Sequence, residues 1–84
     1  MKYTVKILRR AQQELRKIKG SNYERIKTAI YKLSDNPRPA GCKKLTGREG
    51  WRIRVGNYRI IYEIEDFALI VLVVHAGHRK EIYR

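Results

Sequence analysis

Residues 51–59 read Trp-Arg-Ile-Arg-Val-Gly-Asn-Tyr-Arg. Two runs of alternating apolar and basic residues flank Gly56-Asn57, and a two-residue loop with glycine first suits a type II′ β-hairpin. That turn sets the expected pairing: Val55 with Tyr58, Arg54 with Arg59, Ile53 with Ile60, Trp51 with Tyr62. Successive side chains of a strand point to opposite faces. Trp51, Ile53, Val55, Tyr58, Ile60 and Tyr62 therefore share one face, which reads as core. Arg52, Arg54 and Arg59 share the other, a guanidinium cluster on a rigid sheet and a reasonable site for phosphate.

Working outward, the residues before the hairpin supply a strand and two helices. Residues 2–8 alternate, with Tyr3, Val5 and Ile7 to one side, as a half-buried strand does. Leu8, Ala11, Leu15 and Ile18 recur at helical spacing, which predicts a helix over 9–19 with Gly20 as its stop. Ser21 followed by Glu24 matches a capping box and predicts a second helix over 22–34, with Ile26, Ala29, Ile30 and Leu33 as its apolar stripe. The short connection makes the pair an antiparallel helical hairpin. Residues 36–41 hold two prolines and a glycine and read as loop; 43–45 allow a short extended piece.

After the hairpin, its second strand is expected to continue to Glu65, with a turn at Asp66-Phe67. Residues 68–75, Ala-Leu-Ile-Val-Leu-Val-Val-His, are apolar without alternation, so both faces should be covered. The helices cover one face. Ile61, Leu72 and Val74, together with Ile70, are left on the other and ask for a lid, either a C-terminal segment or a partner. Gly77 is expected to let the chain bend as it leaves this strand. The order is β-α-α-β-β-β, an α+β fold of one small domain over residues 1–84, with a helical hairpin on one face of an antiparallel-rich sheet.

Composition narrows the function. A net charge of +12 on 84 residues favours long-range attraction to polyanions, the alternative being a merely solvated surface. One cysteine, Cys42, excludes an internal disulfide and suits a reducing cytoplasm. No run is long enough to span a membrane, and the N-terminus lacks the apolar core of a secretory signal.

If the last two strands are adjacent, Val74 is expected opposite Arg59 and His75 opposite Tyr58. That register brings His78, Arg79 and Tyr83 to the edge of the arginine face. No His/Cys group has metal spacing, and no cofactor is expected. What these residues offer is chemistry on a phosphodiester that carries its own nucleophile, the RNA 2′-hydroxyl. Arginine forks hold phosphate oxygens bidentately, and stabilising developing charge is usually the largest catalytic contribution. His78 is the nearby group suited to proton transfer near neutral pH. Tyr83 could stack on an unpaired base or donate a proton. Lys43, Lys44 and Arg48 are candidate contacts to an RNA backbone, or simply solubilising charges.

Asn36-Pro37, Lys43-Lys44-Leu45-x-Gly47, the run from Trp51 to Tyr62 and Gly77-His-Arg-Lys-Glu-Ile-Tyr83 together resemble the RelE toxins of the RelE/ParE superfamily. The resemblance implies a type II toxin that cleaves mRNA in the ribosomal A site without metal, leaving a 2′,3′-cyclic phosphate or 3′-phosphate. It also implies a cognate antitoxin that wraps and blocks the toxin, for which Ile61, Leu72 and Val74 are the candidate contacts. Arg52 and Arg54 stand where the best-known relatives have lysines; Arg59, Arg79 and Tyr83 match an arginine, an arginine and a tyrosine of the family. Arginine effectively cannot lose its proton, so Arg52 and Arg54 are expected to be electrostatic clamps. The general base is then His78, Tyr83, His75 or a group of the ribosome. The superfamily also contains ParE-like inhibitors of DNA gyrase, and a non-catalytic RNA-binding module remains a third reading.

Overall fold

The computed structural model describes residues 2–78. Strand β1 (Thr4–Ile7) leads into helix α1 (Arg9–Arg16) and helix α2 (Gly20–Asp35). Strands β2 (Lys43–Lys44), β3 (Trp51–Val55), β4 (Tyr58–Glu65) and β5 (Ile70–His78) follow. The sheet order is β1-β5-β4-β3-β2. β1 runs parallel to β5, and the other neighbours are antiparallel. The expected α+β class is that observed, and the short extended piece allowed at 43–45 joins the sheet as β2, one strand more than the expected β-α-α-β-β-β order.

The hairpin of β3 and β4 has the anticipated register, Val55 with Tyr58 through Trp51 with Tyr62. Gly56 has φ +60°, and Asn57 keeps a negative φ, as a type II′ turn requires. Ile53, Ile60 and Tyr62 are buried beneath the helices with Ile26, Ile30, Leu33, Val71 and Val73. Each fully buried aliphatic side chain of this kind stabilises the fold by about 1.5–3 kcal/mol of transfer free energy.

The helices depart from expectation at their ends. α1 is regular only to Arg16; Lys17 and Ile18 then donate to the carbonyls of Glu14 and Leu15, the tightened turn common at helix termini. Ile18 is still buried, whereas Leu8, at the head of the expected stripe, is exposed. α2 starts at Gly20 with Lys19 in the N-cap place and no side-chain cap, so the predicted Ser21–Glu24 capping box does not form. Gly20, at φ +69°, turns the chain between the helices directly.

Five side chains, Tyr3, Arg38, Trp51, Tyr62 and Asp66, tie the 36–42 loop to the sheet. The Tyr62 hydroxyl donates to the Pro37 carbonyl at 2.7 Å. Arg38 makes two hydrogen bonds to Asp66, at 3.2 and 3.0 Å, while its guanidinium lies 5.1 Å from the centre of the Trp51 ring. Tyr3 donates to Asp66 at 2.8 Å. Loop, β1, β3 and the β4–β5 turn are thereby joined at one end of the sheet.

β5 holds the main surprise. The turn before it takes four residues, 66–69, and Leu69 adopts φ +55°. Pairing starts at Glu65 with Ile70, and a β-bulge lies between Ile61 and Tyr62: Tyr62 pairs with Val73, but Ile61 pairs with His75. Val74 is the extra residue. Arg59 consequently faces Gly77 and Tyr58 faces His78, not Val74 and His75 as expected. Gly77 lies inside the strand and is buried rather than bending the chain out of it. A bulge adds one residue to one strand and resets the alternation beyond it; nothing in an unbroken apolar run marks where that happens.

Candidate active site

β3 and β4 bring Arg52, Arg54 and Arg59 to the sheet face away from the helices, with Arg54 directly opposite Arg59. β2 adds Lys43, which pairs with Arg52 and so shares that face. Like charges directly opposite each other are destabilising, which is the arrangement expected where an anion is to be bound. The three arginines are not equally available. Arg54 is exposed and Arg52 half-exposed, whereas Arg59 is 3% exposed. Arg59 therefore belongs to the wall beneath the site, not to its open surface as the sequence suggested. Glu63, on the same strand and face, is the acidic residue nearest in register.

His78 is not where the sequence placed it. Its pairing with Tyr58 puts it on the helix side, and the two rings meet edge to face at 5.6 Å and 80°. The histidine borders a cleft of about 350 Å³ together with Glu14, Lys17, Ile18 and Tyr58. The bulge is the cause: by adding Val74 it turns Ala76 and His78 to the core side. His75 is half-buried, its Nδ1 3.5 Å from the Glu14 carboxylate. Arg79 and Tyr83 lie outside the described residues.

Ile61 also needs correcting. It is 5% exposed, not open to solvent, because it sits in a central strand flanked in register by Arg52 and His75. Leu72 and Val74 are half-buried. Lys43, Lys44 and Arg48 are all exposed, but they divide: Lys43 joins the arginine face, while Lys44 pairs with Trp51 and holds its ammonium 5.5 Å from that ring.

Two basic residues were missed by sequence reasoning. Arg25 and Lys32 of α2 border the same groove as Arg54 at the hairpin tip. Only the packing of α2 against β3 puts them there, so no local pattern could have shown it. Among the described residues no three His, Cys, Asp or Glu side chains are grouped to hold a metal ion, and no helix is long and apolar enough to cross a membrane.

Proton equilibria are perturbed at the tie between the loop and the sheet. Hydrogen bonds from Arg38, then from Tyr3, hold the Asp66 carboxyl below the usual carboxylate range. The Asp66 acceptor in turn pushes the Tyr3 hydroxyl up. Burial is the main cause that raises Tyr62, with Cys42 adding to it. These groups shape the scaffold behind the site.

Comparison with known proteins places this geometry. The family described as the ParE toxin of the type II toxin–antitoxin system, parDE, matches residues 5–83. The chain belongs to the RelE/ParE superfamily of type II toxins. It is 30% identical to the putative toxin RelE1 of Methanocaldococcus jannaschii, over 100% of this chain and 98% of that protein. It is 28% identical to the mRNA interferase toxin RelE of Escherichia coli K12, over 99% and 92% of the two chains. The toxin–antitoxin complex RelBE2 from Mycobacterium tuberculosis superposes with a TM-score of 0.83 at 26% identity, covering 94% of this chain and 100% of that one. The matched residues run from β1 to beyond the end of β5.

Proposed function

We propose that this type II toxin is a RelE-type endoribonuclease that cuts mRNA on the ribosome, in the cytoplasm, and is held inactive by a cognate antitoxin. The observation that carries this is the opposed pair Arg54 and Arg59, flanked by Arg52 and Lys43 on one open sheet face. Its likeness to the protein named mRNA interferase toxin RelE and to a solved toxin–antitoxin complex supports the same reading.

In the proposed reaction the mRNA 2′-oxygen attacks the adjacent phosphorus and the 5′-oxygen leaves, giving a 2′,3′-cyclic phosphate. Arg52 and Arg54 hold the phosphate and stabilise the charge that grows on its oxygens, with Arg59 adding positive potential from below. None of the three moves a proton, because a guanidinium stays charged. His78 faces the helices and is not aimed at a phosphate on the arginine face, whereas His75 pairs with Ile61 on that face and turns its Nδ1 towards Glu14. Proton transfer therefore falls to Tyr83, to His75 or to the ribosome, with Arg79 as a further cation. No metal is assigned a role in this scheme. Lys43 and Arg48 contact the RNA backbone, and Leu72 and Val74 are offered to the antitoxin.

Primer extension on mRNA after induction, with and without ribosomes, tests this. Cleavage is expected only with ribosomes, and the Arg52→Gln/Arg54→Gln double variant should lose it by about a hundredfold or more while still folding, since removing one charge-stabilising donor alone costs about that much. Full cleavage by the double variant would refute the site. The family description as ParE keeps one competitor in view: intact mRNA together with induction of the DNA-damage response would select inhibition of DNA gyrase instead.

A further inference from the structure

We infer that Glu14, on α1, is a positioning residue for this site: its carboxylate clamps the bulged register of β5. The inference rests on the nuclease reading for its functional consequence but not for its structural one.

β1 ends at Ile7, where pairing with Val73 stops, and Leu8 donates the last backbone bond from that side, to Val73 at 2.9 Å. Beyond Val73, no strand among the described residues lies beside the outer edge of β5. A bare strand edge leaves backbone donors to be satisfied some other way. Glu14 reaches down from α1 and accepts the Ala76 N–H at 3.1 Å, with His75 Nδ1 3.5 Å from the same oxygen. Both residues lie immediately after the extra residue, Val74.

The position matters because this strand is poorly instructed by its own sequence. Residues 70–74 are all apolar, so either face is acceptable in the core and the register is weakly specified. Without the bulge, the alternation set by Val71 and Val73 would carry His75 and Gly77 to the core side and Ala76 and His78 to the arginine face. With it, Ala76 packs in the core against Ile60, and Gly77 faces Arg59. A charged acceptor aimed at the Ala76 N–H favours the second arrangement, since that N–H must point outward from β5 to meet it. Register over 75–78 thereby sets which residue of β5 lies against Arg59 on the arginine face.

The test uses the full chain. Glu14→Ala should lose protection of the Ala76 amide in hydrogen exchange and shift the His78 ring resonances as its contact with Tyr58 is lost. In ribosome-programmed cleavage it should lower kcat by about tenfold or more, with KM for the programmed ribosome unchanged, because misplacing a group by about 1 Å can cost a hundredfold. Glu14→Gln keeps an acceptor oxygen and should restore both Ala76 protection and kcat. Wild-type Ala76 exchange in Glu14→Ala, or a Gln variant as impaired as the Ala variant, would overturn the clamp. If the wild-type chain cuts no mRNA, the nuclease reading fails while the exchange and ring-shift measurements still decide the clamp.

Discussion

Replacing Tyr62 by Phe isolates one atom of the scaffold. Tyr62 is fully buried, and its hydroxyl donates to the Pro37 carbonyl at 2.7 Å. The ring stays in the core after substitution, so little apolar burial is lost. What is lost is the hydrogen bond, and an acceptor next to a buried site is left unsatisfied, at about 1–3 kcal/mol. A domain of this size loses roughly 4–8 °C of Tm per kcal/mol, so the midpoint should fall by about 4 °C at the least. The pH dependence provides a second signature. Burial raises the folded-state pKa of Tyr62 above its ordinary value of 10.0. Above pH 10 the unfolded chain releases a proton that the folded chain keeps, so the stabilisation is complete below pH 10 and declines as pH rises, by about 1.4 kcal/mol per unit for one group. Urea melts between pH 8 and 11.5 should show this decline in the wild type and a shallower one in Tyr62→Phe. An unchanged Tm, or identical alkaline slopes in the two proteins, would refute the claim that this hydroxyl anchors the loop behind the site.

Two further outcomes follow from the scaffold. Asp66→Asn should destabilise the protein at neutral pH: the folded carboxyl has a lowered pKa, so its contribution is present above the ordinary carboxylate range and is lost as pH falls through the lowered value. Thermal melts of the two proteins should therefore converge as pH falls through that lowered value, where the wild-type carboxyl is also protonated. Gly50→Ala should cost about 1–2 kcal/mol or more, because Gly50 has φ +122° and an added Cβ would lie 3.2 Å from Leu45 Cδ1 and 3.3 Å from the Tyr62 carbonyl oxygen; chemical denaturation measures it.

The hairpin, both helices and the arginine face were legible because each rests on a local rule. Two-residue turns select registers, period 2 separates faces, and the stripe Ile26, Ile30, Leu33 marks a buried helix side. The site's other wall was not legible. Its error had two sources: the turn over residues 66–69, which moves the register by two residues, and one added residue, Val74, in a run where both faces are apolar and alternation carries no signal. The added residue moved His78 to the helix side, and the two together set Gly77 against Arg59.

Sequence alone thus determined the α+β order, the hairpin around Gly56-Asn57 and the concentration of guanidinium groups on one sheet face, since these depend on neighbours a few residues apart. Tertiary structure decided which of those groups meet. It buried Arg59 and Ile61 in the central strand, brought Lys43 beside Arg52 and Arg25 beside Arg54, and held β5 in its bulged register through Glu14, 62 residues away from Ala76 in the chain. Contacts at that separation are chosen by packing and by the need to satisfy edge backbone groups, and neither is written in local pattern.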